Sequence, residues 1–118
     1  MKPLNPFSTG IYIAYPTSPI LRPIYRGYKT LVNDQHTKVG IARRSFAERE
    51  KNYFVSFNKE VVFRPILELP REQLRNIERA LIAELRNHHA RVGRAREWFD
   101  TTDRDSLAQL IINIVDQL

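Results

Sequence analysis

Leucine recurs at positions 74, 81 and 85 within the run from Pro70 to His89, a spacing that only a helix turns onto one face. At roughly 100° per residue Glu78 falls on the same stripe, within about 60° of arc of those leucines. A fold containing this helix must bury one side of it and still accommodate a carboxylate at the margin of the buried face. A charge withdrawn from water needs a partner. In this chain the candidates are an arginine, a metal ion, or both.

The 118 residues, 42% hydrophobic and 27% charged, suit a single domain with one core. The formal charge of +6 is unevenly spread: four aspartates (Asp100, Asp103, Asp105, Asp116) against Arg104 give residues 100–118 a net −3, which leaves +9 on residues 1–99. A basic body with an acidic tail suits a nucleic-acid partner, and it also suits a generic basic protein with a solvated surface. The lack of cysteine excludes a disulfide framework, a thiolate zinc site and a cysteine nucleophile. Three histidines, His36, His88 and His89, are too few and too badly spaced for zinc. No stretch approaches the roughly 18 apolar residues of a membrane span, and Met1–Thr9 leads into no apolar run. A cytoplasmic protein without membrane association is the expectation.

Along the chain, Gly10–Tyr15 predicts a first strand, rich in β-branched and aromatic residues and stopped by Pro16. Pro16, Pro19 and Pro23 punctuate an inserted loop or hairpin over about 16–35, and a second strand is expected at His36–Ile41. Ser45-Phe46-Ala47-Glu48 has the capping-box pattern and predicts a helix from Phe46 to about Tyr53. Val61–Leu69 fits a third strand, with Pro65 pointing to an edge position or a bulge. Pro70 then opens the long helix, and a last helix is expected over about 103–118, capped by Thr102 or Asp103. The fold class is therefore α/β (α+β), a small sandwich with a three-stranded, mainly antiparallel sheet flanked by helices.

This order of elements, and the residues on them, resembles the GIY-YIG endonuclease superfamily. Gly10-Ile11-Tyr12 matches its first motif on the first strand. Lys38-Val39-Gly40 stands in the second-motif place, Arg49 follows in the first helix, and Glu78 lies in the next helix. Arg91, Arg94 and Glu97-Trp98-Phe99 look like the branch whose second motif begins with lysine. The resemblance covers about Gly10 to Phe99 and implies hydrolysis of a DNA phosphodiester assisted by one Mg²⁺ or Mn²⁺. By that implication Glu78 binds the cation through oxygen. Arg49 binds the scissile phosphate with its permanent charge and planar donor fork. Tyr12 contacts the attacking water or serves as its general base, which requires a phenol normally near pKa about 10 to be lowered by nearby cations.

The chain departs from the pattern at three points. Lys38 replaces the second-motif tyrosine and is read as a phosphate contact, with Tyr25 or Tyr28 from the loop as alternative substitutes. The connection between the two motifs is long, and its Arg22, Arg26 and Lys29 are candidate DNA contacts along with Arg43, Arg44, Arg91 and Arg94. The late asparagine of many members has only Asn87 nearby.

Each residue also has a plainer reading. Glu78 alone suggests an arginine-paired helix-edge carboxylate, Tyr12 a half-buried strand aromatic, and Arg49 a surface residue exchanging with Glu48 or Asp103. Glu48 is a cap, and His88 and His89 suit a helix C-terminus. Trp98 and Phe99 are read as closing the core against the long helix, ahead of base stacking. The expected activity is that of a metal-dependent endonuclease. A non-catalytic nucleic-acid-binding module of the same fold and a protein-interaction domain are the alternatives. Specificity is expected from the core and the Pro16–Asn33 loop, or from a homodimer or partner protein.

Overall fold

The first strand, β1 (Gly10–Pro16), is the most enclosed element: Ile11, Tyr12, Ile13 and Ala14 are all inaccessible to solvent. Burial on both faces is why this segment reads as an unbroken apolar run. The computed structural model describes residues 4–24, 29–57, 59–93 and 95–118. A small two-stranded antiparallel sheet follows β1, formed by β2 (Arg22–Pro23) and β3 (Leu31–Val32), within the inserted segment. Next come β4 (Thr37–Ala42), α1 (Phe46–Ser56), β5 (Val61–Glu68), a 3₁₀ turn at Arg71–Gln73, α2 (Leu74–Leu85), β6 (Trp98–Phe99) and α3 (Arg104–Asp116). The main sheet has the order β5-β1-β4-β6 with every neighbouring pair antiparallel, so the architecture is α+β. It carries one strand more than the three expected, because Trp98-Phe99 is too short to show a period of its own.

Pro65 is accommodated in both of the anticipated ways. β5 is an edge strand, and its register on β1 shifts between Ile11 and Tyr12, which face Leu67 and Pro65 respectively. A residue without an N–H fits where the ladder is already interrupted.

Alternation along β1 and β4 sorts the core into two halves. Ile11, Ile13 and Val39 face α2 and α3 with Leu81, Ile82, Leu85, Phe99, Leu107 and Ile111. Tyr12, Ala14 and Ala42 face α1 with Phe46, Tyr53, Phe57 and Trp98. Only Phe99 therefore closes against the long helix, and Trp98, one residue earlier on the strand, packs on the opposite side. The long helix ends at Leu85 rather than His89, since the residues just past its last buried leucine, Arg86, Asn87 and His88, are exposed and have no face to bury.

The helix starts follow their side chains. Ser45 accepts from the Glu48 N–H at 3.1 Å, but the Glu48 carboxylate turns away to Arg44, so only half of the capping box forms. Asp103, not Thr102, caps α3 by accepting from Ser106 N at 3.1 Å. Arg104 then fastens α3 to the loop before β4: it donates to Thr37 Oγ1 (3.0 Å) and Asp34 O (2.7 Å) and lies 4.0 Å over the Tyr15 ring. No helix among the described residues is long and apolar enough to cross a membrane.

Candidate active site

β6 pairs with β4 only at Thr37 and Lys38, and one further bond runs from Val39 N–H to Glu97 O. From Gly40 onward no described strand covers that edge of β4. A cavity of about 490 Å³ opens at this notch, between β4, α1 and α2, and Tyr12, Gly40, Arg43, Arg49, Arg75, Glu78 and Glu97 contribute to its lining. Of the expected site residues, the fold thus brings Tyr12, Arg43, Arg44, Arg49 and Glu78 to one cavity from four different segments.

The two motif glycines are explained by close approach. A Cβ on Gly40 would lie 2.5 Å from the Tyr12 hydroxyl, because the Tyr12 ring extends across that position. A Cβ on Gly10 would collide with the Leu67 carbonyl and the Phe46 ring. Glycine is needed at both positions because another group, the Tyr12 ring at Gly40 and the Leu67 backbone at Gly10, occupies the place of a side chain.

Tyr12 is fully buried rather than half-buried, stacked on Phe63 with ring centroids 4.5 Å apart. Its hydroxyl lies 2.8 Å from that of Tyr53 and accepts from Arg49 Nε at 3.1 Å. With both partners in place it does not meet solvent in this arrangement. Arg49, exposed on α1, pairs with neither Glu48 nor Asp103. Desolvation pulls its guanidinium pKa down, but Tyr12, Tyr53 and Glu97 outweigh that and raise it overall, so its positive charge is permanent. Burial, with Tyr12 second, pushes the Tyr53 phenol well above its usual range and leaves it a neutral hydroxyl at any physiological pH.

Glu78 is half-buried at the cavity wall. Burial and then the nearby Glu97 carboxylate raise its pKa, while Lys38, Arg43 and Arg49 pull the other way. No arginine or lysine makes an ion pair with it among the described residues, so the simple paired-carboxylate reading is not what the structure has. Lys38 is instead clasped by Glu97 in a short ion pair, and its side chain is 13% exposed. It lines a smaller adjoining pocket rather than the main cavity.

Several residues important here carried no role in the sequence reading. Tyr53 lies four residues after Arg49 on α1, a helical spacing that puts the two on one face and could have flagged it. Arg75 precedes Glu78 by three on α2 and lines the same cavity. Glu97 was visible only as part of a string. The remaining basic candidates stand apart: Arg22 pairs with Glu60 at 2.6 Å, and neither it, Lys29 nor Arg91 lines the cavity. Arg26, Arg94, Tyr25 and Tyr28 lie outside the described residues.

Taken together, an α+β domain with a cavity at a sheet notch that arginines and carboxylates line is the class of protein this chain defines. Residues 11–116 match the model of the T5orf172 domain, and the chain belongs to that family. The family is linked to nuclease-like, GIY-YIG-type proteins in general. No curated protein and no solved structure matches the chain.

Proposed function

We propose that this chain is a GIY-YIG-type endonuclease that hydrolyses phosphodiester bonds in DNA with the help of one divalent cation. The observation that carries the reading is the convergence of Arg49 and Glu78, from different helices, on one cavity that Arg43, Arg44 and Arg75 also line. A phosphate is the ligand such a lining attracts.

The residues fit a hard cation. Glu78 and Glu97 offer only oxygen, and Glu78 is a carboxylate whose ionised form is penalised by burial and by a like charge. Among the described residues no group of three or more histidine, cysteine, aspartate or glutamate side chains is placed to hold a metal ion, so the protein would supply at most two. One or two carboxylates, with water and substrate oxygens completing the shell, is the manner in which Mg²⁺ is usually held. When bound, the cation polarises phosphate oxygens and offsets charge that develops at the leaving oxygen.

The chain's own groups divide the remaining work. Arg49 binds the scissile phosphate and carries permanent charge to the transition state. Tyr12 and Tyr53 act as positioning residues: two hydroxyls in mutual hydrogen bond, one accepting from Arg49 Nε, hold the guanidinium at the cavity wall. Glu97 pairs with the Lys38 ammonium and fixes both side chains beside the cavity, so the attraction for an anionic strand rests on the arginines.

Purified protein is expected to nick or cut DNA with Mg²⁺ or Mn²⁺ and to stop in EDTA. Glu78→Ala should lower cleavage by at least about 10³-fold, while circular dichroism and melting temperature report an intact fold. Undiminished cleavage in that variant, or activity in EDTA, overturns the mechanism. One observation favours a second reading, a nucleic-acid-binding module without turnover: Lys38 is committed to Glu97, and the Tyr12 hydroxyl to Tyr53 and Arg49. Salt-sensitive mobility shifts without cleavage under any divalent metal would establish that reading instead.

A further inference from the structure

Beside the main cavity lies a second pocket of about 220 Å³, and the two share Arg49 and Asn52 in their linings. Its walls are aromatic, formed by Tyr53, Phe57 and Trp98, and Lys38 stands at its rim with the shared pair. The rings of Phe57 and Trp98 are in tilted contact at 51° with centroids 6.2 Å apart, and both are buried, so the pocket reaches only the margins of these rings. Protein interiors normally close such gaps, since an unfilled apolar wall forfeits its dispersion contacts. The volume falls below the roughly 300–1,000 Å³ of pockets that take drug-sized ligands. It admits one flat ring system.

An occupant must satisfy three conditions at once: a planar apolar body for the walls, a polar edge for the Asn52 amide, and a negative charge one step away for Arg49. A single nucleotide within a strand has all three. We propose that this pocket receives one unstacked nucleobase of the strand whose phosphate lies beside Arg49. The inference rests on the nucleic-acid reading above and narrows its substrate: the preferred target has an unpaired nucleotide at the cut, as in a flap, bubble or single strand. A base drawn from an intact duplex costs a few kcal/mol of pairing and stacking, and a base already unpaired does not.

Trp98 is the one tryptophan of the chain, so its fluorescence reports on this pocket alone. The test titrates the full chain in EDTA with a short thymidylate oligonucleotide and with an abasic oligonucleotide of equal length and charge, following Trp98 emission and binding anisotropy together. The thymidylate is expected to change Trp98 emission saturably. The abasic strand should bind roughly tenfold more weakly, in keeping with the contribution of one base–aromatic contact, and leave the emission unchanged. Asn52→Phe, at an exposed position of α1, should obstruct the mouth without disturbing the fold and reduce the difference between the two strands to less than about twofold. Equal affinity and equal emission for both strands in the wild type overturns the proposal, as does an emission unmoved by thymidylate when anisotropy shows it bound. Cleavage is scored separately with Mg²⁺, where a bubble substrate should be cut about tenfold faster than its fully paired counterpart. Cleavage without base discrimination defeats the pocket alone, and base discrimination without cleavage defeats the nuclease reading alone.

Discussion

Ile13 and Tyr12 are neighbours on one strand, and the half-cores they enter are built differently. On the α2 and α3 side the buried atoms of Ile11, Ile13, Val39, Leu81, Leu85, Phe99, Leu107 and Ile111 are hydrocarbon throughout. On the α1 side two hydroxyls, a guanidinium and an ammonium stand in or beside the apolar cluster, and two openings remain unfilled. The first half can be accounted for by packing alone. The second keeps polar groups whose burial is unfavourable unless each finds a partner, and the partners it finds lead from Tyr53 through Tyr12 to Arg49 at the cavity. The hydrocarbon side holds the fold, and the site sits at the seam, where Arg75 and Glu78 of α2 reach the same cavity as Tyr12 and Arg49.

The largest expected effect tests that division directly. Leu107 of α3 is fully buried in the hydrocarbon half and away from the cavity, and Leu107→Ala should lower unfolding free energy by about 2–5 kcal/mol, read from denaturant melts, through lost transfer energy and the cavity left behind. Cleavage per folded molecule should stay within about twofold, since nothing polar is disturbed. A large loss of activity in the folded fraction would show that the two halves are coupled after all.

Arg49→Lys probes the other half, with the opposite pattern. A lysine keeps the charge but lacks the planar fork that can donate to Tyr12 and a phosphate together, so kcat/KM should fall about 10²–10³-fold, equivalent to roughly 3–4 kcal/mol of transition-state stabilisation. Melting temperature should move little, because position 49 is exposed. Tyr53→Phe is next in size. It removes one buried hydroxyl and leaves Tyr12 with a single partner, at a cost of about 1 kcal/mol in stability and about tenfold in cleavage. If Tyr53→Phe alters neither, the tyrosine pair is packing and Arg49 is held by something else.

The same contrast explains what could be read from the chain before its structure. The hydrocarbon half was legible because it depends on spacing: the leucines of α2, the apolar run of β1 and the 3.6-residue repeat of α3 each announce a buried face. Pro65 even located the bulge and the edge. Trp98-Phe99 was misassigned as a unit because two residues cannot reveal which alternates inward on which side. At the site, Tyr12, Arg49 and Glu78 could be selected from motif positions, and they do line one cavity. The Lys38–Glu97 pair was not legible: it spans 59 residues and forms only because β6 docks beside β4. Tyr53 had a local signal, its offset of four from Arg49, but its meeting with Tyr12 depends on α1 lying across the sheet.

Glu78 provides the smallest effect, and the one that best separates a functional carboxylate from a structural one. Its pKa is raised by burial and by Glu97, so the folded state binds the proton more tightly than the unfolded chain does. Between the ordinary carboxylate range and the raised folded value, the native state holds more protons, and stability falls as pH rises through that window. Above it the wild type carries the full penalty, and below it the penalty is absent. Glu78→Gln should therefore raise the metal-free unfolding free energy at neutral pH, by less than about 1 kcal/mol once solvent screening of this half-exposed group is allowed for, and the gain should vanish in acid. Millimolar Mg²⁺ should reverse the order, stabilising the wild type in proportion to RT ln(1 + [L]/Kd) and leaving the glutamine variant unmoved. A structural ion pair predicts the contrary on both counts: Glu78→Gln would destabilise at neutral pH, and Mg²⁺ would act on both proteins alike.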